Sequence, residues 1–312
     1  MPKLPLLVIV GPTASGKTGL AVECALNFNG EVVSADSMQI YKGMSIATAK
    51  PTEEEMKGIE HHLIDFLEVS ESYSVADFVR DANREIDIIY SKNKLPVLAG
   101  GTGLYVDSLV NNLQFSEEKA DPLLRAELNE KLERAGAENM LSELSVFDPA
   151  SAARLHPNNK KRIVRAFEVY LTTGKTLTEV QLEATQAESR FDTLFIGINY
   201  KNRDVLYDRI DRRVDLMLAN GLIEEAREYY SLPKKATASQ AIGYKELKPY
   251  FDGEITLDEA VSNLKLATRH YAKRQLTWFR RNDNINWFYP DEYENSAEFT
   301  KSVINFIKEA MK

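Results

Sequence analysis

Eight residues near the start, "GPTASGKT" (11–18), constrain the fold of this chain more than any other stretch. They fit the pattern G-x-x-x-x-G-K-[ST], which holds phosphate through backbone geometry. Gly11 and Gly16 permit the dihedrals that turn successive N–H groups onto an anion. Lys17 adds a point charge, and the Thr18 hydroxyl is the expected Mg²⁺ ligand. Pro12, Thr13, Ala14 and Ser15 complete the diphosphate cradle. The apolar run "LLVIV" (6–10) before the loop reads as a buried strand. Residues 18–29, with Leu20, Cys24 and Phe28 four apart, read as a helix whose positive dipole end faces the loop. A chance glycine-rich turn would lack this strand–loop–helix context.

The first third goes on alternating. "EVVSA" (31–35) reads as a strand, "HHLIDFL" (61–67) as a weaker one, and "SVADFVRDANREIDIIYSKN" as an amphipathic helix. "LPVLA" (95–99) is a strand that stops in "GGTG". Such alternation predicts a parallel sheet flanked by helices. From about residue 111 the texture changes, and only helical patterns appear until about 190. "DPLLRAELNEKLERAG" has an Asp-Pro start and a Gly stop, "NNKKRIVRAFEVYLTTG" begins at an Asn cap, and "TLTE" (176–179) is a capping box. "TLFIGINY" (193–200) is a strand again. The last third is mostly helical, with a second capping box at "TLDE" (256–259) and a last strand near "INWFYP". The expected fold class is α/β: a P-loop NTPase-like core of residues 1–116 and 192–312, with an all-helical insertion domain at 117–191.

Composition narrows the function classes. A net charge of −8 argues against a protein that coats nucleic acid indiscriminately, but not against a local basic groove. No apolar run approaches the ~20 residues of a membrane span, and "MPKLPLLVIVG" reads as a first strand rather than a signal peptide. The single cysteine, Cys24, reads as a buried core thiol. His61, His62, His156 and His270 have no metal-ligand spacing. A cytoplasmic monomer is expected, without membrane partners.

Which molecule owns the phosphates is a separate question. A nucleoside-triphosphate hydrolase needs an Asp at another strand end to help hold Mg²⁺, yet "LPVLA" ends in Gly100-Gly101-Thr102-Gly103. There is no N-K-x-D guanine-reading tetrad. Ligands of open parallel sheets bind beyond the C-terminal ends of the strands, so Asp36 and Thr102 face the same crevice as the loop. Asp36 there can hold Mg²⁺ through water, accept a proton or cap the next turn. Thr102 can donate to a phosphate oxygen or simply end a strand. Arg203, Arg209 and Arg213 lie on one helix. One of them can reach the diphosphate, but ion pairs with Asp208, Asp211 and Asp215 are the expectation.

Taken together, "GPTASGKT", "SADSMQIY" (34–41), "AGGTGLY" (99–105), "ADPLLR" (120–125), "LHPNNKKRIVRAFEVYLTTGK" (155–175), "QAIGYKE" (240–246) and "ATRHYAKRQLTWFR" (267–280) resemble the tRNA dimethylallyltransferase (tRNA isopentenyltransferase) family over nearly the whole chain. The resemblance implies transfer of a dimethylallyl group from dimethylallyl diphosphate to the exocyclic amino group of the tRNA adenosine 3′-adjacent to the anticodon, with Mg²⁺ as cofactor. It implies Asp36 as general base, with Lys17 and Thr102 as the other catalytic groups. Asp36, Ser37, Met38, Gln39, Thr102, Arg125, Lys161, Arg162, Ile163, Val164, Arg165, Gln240, Ala241, Ile242, Gly243, Tyr244 and Lys245 would line the tRNA path, the insertion gripping the anticodon stem-loop. Two basic runs agree. Residues 264–281 carry six Lys or Arg and no acid, with Tyr271, Trp278 and Phe279 interleaved. Residues 154–165 carry Arg154, Lys160, Lys161, Arg162 and Arg165. The alternatives are a small-molecule kinase with this phosphate loop, or a non-catalytic RNA-binding protein that senses nucleotide.

Overall fold

The computed structural model describes residues 3–115, 121–232, 238 and 241–311. The strands are β1 (Leu4–Val10), β2 (Gly30–Ser34), β3 (His61–His62), β4 (Leu95–Gly100), β5 (Phe191–Ile198) and β6 (Ile285–Phe288). They form one sheet in the order β3-β2-β4-β1-β5-β6, every neighbouring pair parallel. The helices in chain order are α1 (Lys17–Asn27), α2 (Glu53–Met56), α3 (Val75–Ser91), α4 (Gly103–Val110), α5 (Pro122–Ala135), α6 (Ala137–Phe147), α7 (Pro149–Arg154), α8 (Lys160–Thr173), α9 (Leu177–Ala184), α10 (Arg203–Ala219), α11 (Leu222–Ser231), α12 (Tyr244–Phe251), α13 (Leu257–Phe279) and α14 (Ser296–Ala310). None of them is long and apolar enough to cross a membrane.

The chain divides into two compact units, residues 1–110 with 190–312, and residues 111–189. In the first, strand alternation sorts side chains to two faces. Leu7, Ile9, Val97 and Ile196 pack under α1 and α14 through Leu20, Cys24, Val303 and Ile307. Leu6, Val8, Val10 and Leu98 pack on the other face with Phe78 and Ile86 of α3 and Leu264 of α13. Both faces are therefore apolar, as a parallel sheet requires. Cys24 is fully buried, and burial pushes its thiol up to about 12.

The expected third strand at 61–67 is cut to two residues. Leu63 and Asp65 have φ of 60° and 56°, in the left-handed region, which ends the extended run. Asp65 instead forms an ion pair with Lys50 at the surface. His62 does meet carboxylates, those of Glu31 and Glu85. Lys92 and Lys94 bond the same Glu31, so the grouping of Glu31, Glu60 and His62 is an ion-pair cluster rather than a vacant ligand set.

The helical unit has its own core of Leu128, Leu132, Met140, Leu144, Ile163 and Phe167. Asp121 caps α5 by accepting from the Leu123 and Leu124 N–H groups, and Thr176 with Glu179 closes the expected box on α9. Asn159 precedes α8 as expected, but its side chain accepts from the His156 N–H rather than from the helix.

Candidate functional site

Three adjacent strand ends build the site. Past the ladder, the Ala35 N–H donates to the Ala99 carbonyl at 2.8 Å and the Thr102 N–H to the Ala35 carbonyl at 3.2 Å. This stitching brings Thr102 against the turn after β2, where its hydroxyl accepts from the Ser37 N–H at 3.1 Å. Asp36 Oδ1 accepts from the Met38 N–H at 2.9 Å and the Gln39 N–H at 3.4 Å, a side-chain cap on that turn. The capping role is therefore realised by one oxygen. The other makes no hydrogen bond among the described residues, and Asp36 lines the cavity over the strand ends.

The phosphate loop runs from β1 into α1 through Gly16 at φ 92°, which a side chain would strain. Ala14 also sits at a positive φ of 63°, and its carbonyl is held by Arg209 Nε at 2.9 Å. The Thr13 N–H donates to Gln275 Oε1 at 2.8 Å, and the Ser15 N–H to the Pro12 carbonyl at 3.2 Å. Those two amides are turned to protein partners, which leaves the anion the first-turn N–H groups of α1. Lys17 stands beside them. Burial, then the nearby Arg213 charge, lower its ammonium to about 8, with Asp36 opposing the shift.

A cavity of about 330 Å³ opens over these groups, within the usual size range of ligand sites. Its polar end carries Lys17, Thr18, Asp36 and Arg213, and its wall includes Ile210, Val214, Met217 and Leu264. Burial holds the Arg213 guanidinium below its ordinary value, and the Asp36 charge opposes this. The expected pairing of the α10 arginines with α10 acids is not what forms. Asp215 bonds Lys265 at 2.6 Å and Asp211 bonds Arg269, both on α13, while Arg209 and Arg213 turn to the loop and the cavity. Tyr271, one of the aromatics interleaved in the basic run, also lines the cavity, and so does Gln275, which was not singled out from sequence. The four-residue spacing of Arg209, Arg213 and Met217 marks that face, but only the fold shows what it meets.

The remaining sequence candidates divide by where their side chains go. Ser37, Met38, Gln39, Ala241, Ile242, Gly243 and Lys245 line the same cavity. Tyr244 is buried, its ring stacked on Tyr229 at 4.3 Å and its hydroxyl on Glu225, so its side chain is a structural one. Gln240 lies outside the described residues. In the helical unit, Lys161 and Arg162 are exposed, while Ile163 and Val164 point into the core and offer RNA no side chain. Arg125 and Arg165 converge on the buried Glu168 at 2.7 and 2.8 Å. Burial alone would raise that carboxyl, but Arg125 and Arg165 together hold it below its usual range. Of the basic run on α13 and just past its end, Lys265 and Arg269 are neutralised by α10, whereas Lys273, Arg274, Arg280 and Arg281 remain exposed.

Glu225 ties the cavity rim to the body. Its Oε2 accepts from the Ser45 and Ile46 N–H groups at 2.8 and 2.7 Å, and its Oε1 from the Ala47 N–H at 2.9 Å and the Tyr244 hydroxyl at 2.8 Å. Because water can reach part of this loop, Glu225→Ala is expected to cost about 2 kcal/mol. Urea unfolding at constant m-value would measure it, and a loss under 0.5 kcal/mol would contradict the assignment.

The model of the IPP transferase family matches residues 39–282. Among relatives, the chain is 45% identical to the tRNA dimethylallyltransferase of Caldanaerobacter subterraneus subsp. tengcongensis, over 99% of both chains. Among solved structures, it is similar to the tRNA isopentenylpyrophosphate transferase of Bacillus halodurans, with 44% identity, coverage of 98% of this chain and 96% of that one, and a TM-score of 0.73. It is also similar to a eukaryotic dimethylallyltransferase acting on tRNA, with 31% identity, coverage of 98% and 80%, and a TM-score of 0.81. The expected P-loop-type α/β fold is borne out by these likenesses and by the all-parallel sheet.

Proposed function

The chain belongs to the IPP transferase family, and we propose that within it this protein is a tRNA dimethylallyltransferase. It moves the five-carbon group of dimethylallyl diphosphate onto the exocyclic amino nitrogen of the adenosine 3′ to the anticodon, and diphosphate leaves. The observation that carries this reading is the composition of one cavity. A phosphate loop at one end, an apolar wall and a carboxylate oxygen without a partner among the described residues fit a prenyl diphosphate meeting a weak nucleophile. Neither a kinase nor a non-catalytic RNA-binding module gains support from the relatives, whose names are those of transferases.

The adenine amino lone pair is delocalised into the ring, so nitrogen attack needs its proton taken as the bond forms. Asp36 accepts that proton on the oxygen its turn does not use. A C–N bond forms as the allylic C–O bond breaks, and charge gathers on the departing diphosphate. The first-turn amides of α1, Lys17 and Arg213 stabilise it, and Thr102, whose hydroxyl accepts from the Ser37 N–H beside the cavity, donates to a phosphate oxygen in this reading. The hydroxyl of Thr18 lines the same cavity, and with diphosphate oxygens and water it suits a hard ion such as Mg²⁺. When bound, that ion would neutralise part of the leaving-group charge. The adenosine must be splayed from its stack to enter. Exposed cations on α8 and α13 supply the phosphate-backbone contacts, the helical unit holding the anticodon stem-loop in the cytoplasmic tRNA pool.

The test is transfer of label from dimethylallyl diphosphate into unmodified tRNA, with the modified nucleoside located by digestion. Label in the adenosine beside the anticodon is expected; unlabelled RNA with ATP-dependent phosphorylation of a small acceptor would overturn the reading. RNA contact has its own readout. Lys161→Ala with Arg162→Ala is expected to lower the slope of log affinity against log salt by about 1 to 2. A slope unchanged by the pair would remove α8 from the RNA path.

A further inference from the structure

Gln275 on α13 is a buried side chain, 5% exposed, that bonds two loops at once. Its Oε1 accepts the Thr13 N–H of the phosphate loop at 2.8 Å, and its Nε2 donates to the Gly101 carbonyl at 3.0 Å. The two partners fix the amide orientation, since the flipped amide would set donor against donor and acceptor against acceptor. Position 101 must lack a side chain for this contact, because a Cβ there would lie 2.1 Å from Nε2. The β1–β4 ladder ends at the pairing of Val10 with Gly100. Beyond it, the Gln275 amide stands where another peptide group would, and it holds the two loops in register.

We propose that Gln275 is a positioning residue for prenyl transfer, which sets the diphosphate cradle against Thr102 by clamping the loops that carry them. This rests on the transferase reading given above. Gln275 acts through Thr13 and Gly101 and not on the reacting atoms. It is not needed to dock its own helix. α13 is held independently by the Trp278 Nε1 bond to Asp107 at 2.7 Å and by the ion pairs of Lys265 and Arg269 with α10. Release of the clamp lets cradle and hydroxyl drift, and a displacement near 1 Å costs about 10²-fold in rate.

Two variants of the whole chain test this with labelled dimethylallyl diphosphate, Mg²⁺ and unmodified tRNA. Gln275→Leu removes both bonds at similar volume. Its kcat is expected to fall about 30- to 100-fold with the Kd for tRNA within twofold of the native value. Gln275→Glu reproduces both bonds only when protonated, one oxygen accepting from Thr13 and the O–H donating to Gly101. The ratio of its kcat to the native kcat is therefore expected to rise from pH 8 to pH 6. Lys17, Asp36, Arg213, Tyr271 and Arg274 also face this region. They are common to both proteins, so the ratio removes the part of their titration that the substitution leaves unaltered and keeps what the new carboxyl brings. A Gln275→Leu kcat within threefold of native, a loss shared equally by tRNA affinity, or a flat Glu-to-native ratio would overturn the proposal. If Gln275→Leu does not fold, the ratio decides. Absence of transfer by the native chain would instead refute the transferase reading itself.

Discussion

Asp36→Asn is expected to transfer the prenyl group about 10²- to 10⁴-fold more slowly than the native chain while binding tRNA and diphosphate with unchanged affinity. The substitution is chosen because Asp36 has two separable tasks. Its Oδ1 caps the turn through the Met38 and Gln39 N–H groups, and an Asn oxygen accepts the same bonds. What is lost is the carboxylate's charge, and its basicity with it. Single-turnover transfer measured beside equilibrium binding separates the two. A rate within fivefold of native would remove Asp36 from the role of base and leave it a capping residue. An Asp36→Ala variant would not decide this, because it removes the cap as well, and with it the setting of Ser37 against Thr102.

Lys17→Met is expected to lower kcat/KM by about 10²- to 10³-fold, the usual cost of deleting one charge stabiliser from a developing anion. It carries a pH signature. Burial and the Arg213 charge place the free ammonium at about 8. It is charged below that pH and neutral above it, and a bound anion favours the charged form. Affinity for inorganic diphosphate should therefore fall as pH rises through about 8 in the native chain, and the fall should be absent in Lys17→Met. Calorimetric titration between pH 6.5 and 9.5 would show it. A pH-independent affinity in the native protein would mean that Lys17 stays charged throughout, or does not meet the anion.

The elements that were legible in the sequence are those whose signals are local. The glycines and lysine of 11–18, the Asp-Pro opening of α5, the boxes at Thr176 and Thr256 and the alternating apolar runs each act within a few residues of themselves. Asp36 and Thr102 were legible as well, because a parallel sheet places strand ends together by topology. What was not legible depends on long-range contact. Gln275 lies 262 residues from the amide it holds. Arg213 was expected to pair with acids of its own helix, and only the docking of α13 takes Asp211 and Asp215 away from it. Ile163, Val164 and Tyr244 belong to motifs that resemble the family's, yet their side chains serve the core. Linear proximity to a functional residue carries no information about which way a side chain points.

The order of strands also bears on how the chain is made. β1 and β5 are neighbours in the sheet, with Leu4 opposite Phe191 and Val10 opposite Gly197, yet residues 111–189 are synthesised between them. On the ribosome, β1 waits beside an unfilled edge until all of the helical unit has emerged. That unit has its own core and local contacts, which favour early folding, whereas the parallel sheet must close a long loop. Helices α5 to α9 are thus expected to gain hydrogen-exchange protection before β1 and β5 in a refolding pulse-labelling experiment. Simultaneous protection of both would show that the insertion does not fold ahead of the sheet. Slow translation beyond residue 190 would then lengthen the life of an exposed apolar strand edge, the species most prone to pair with another chain.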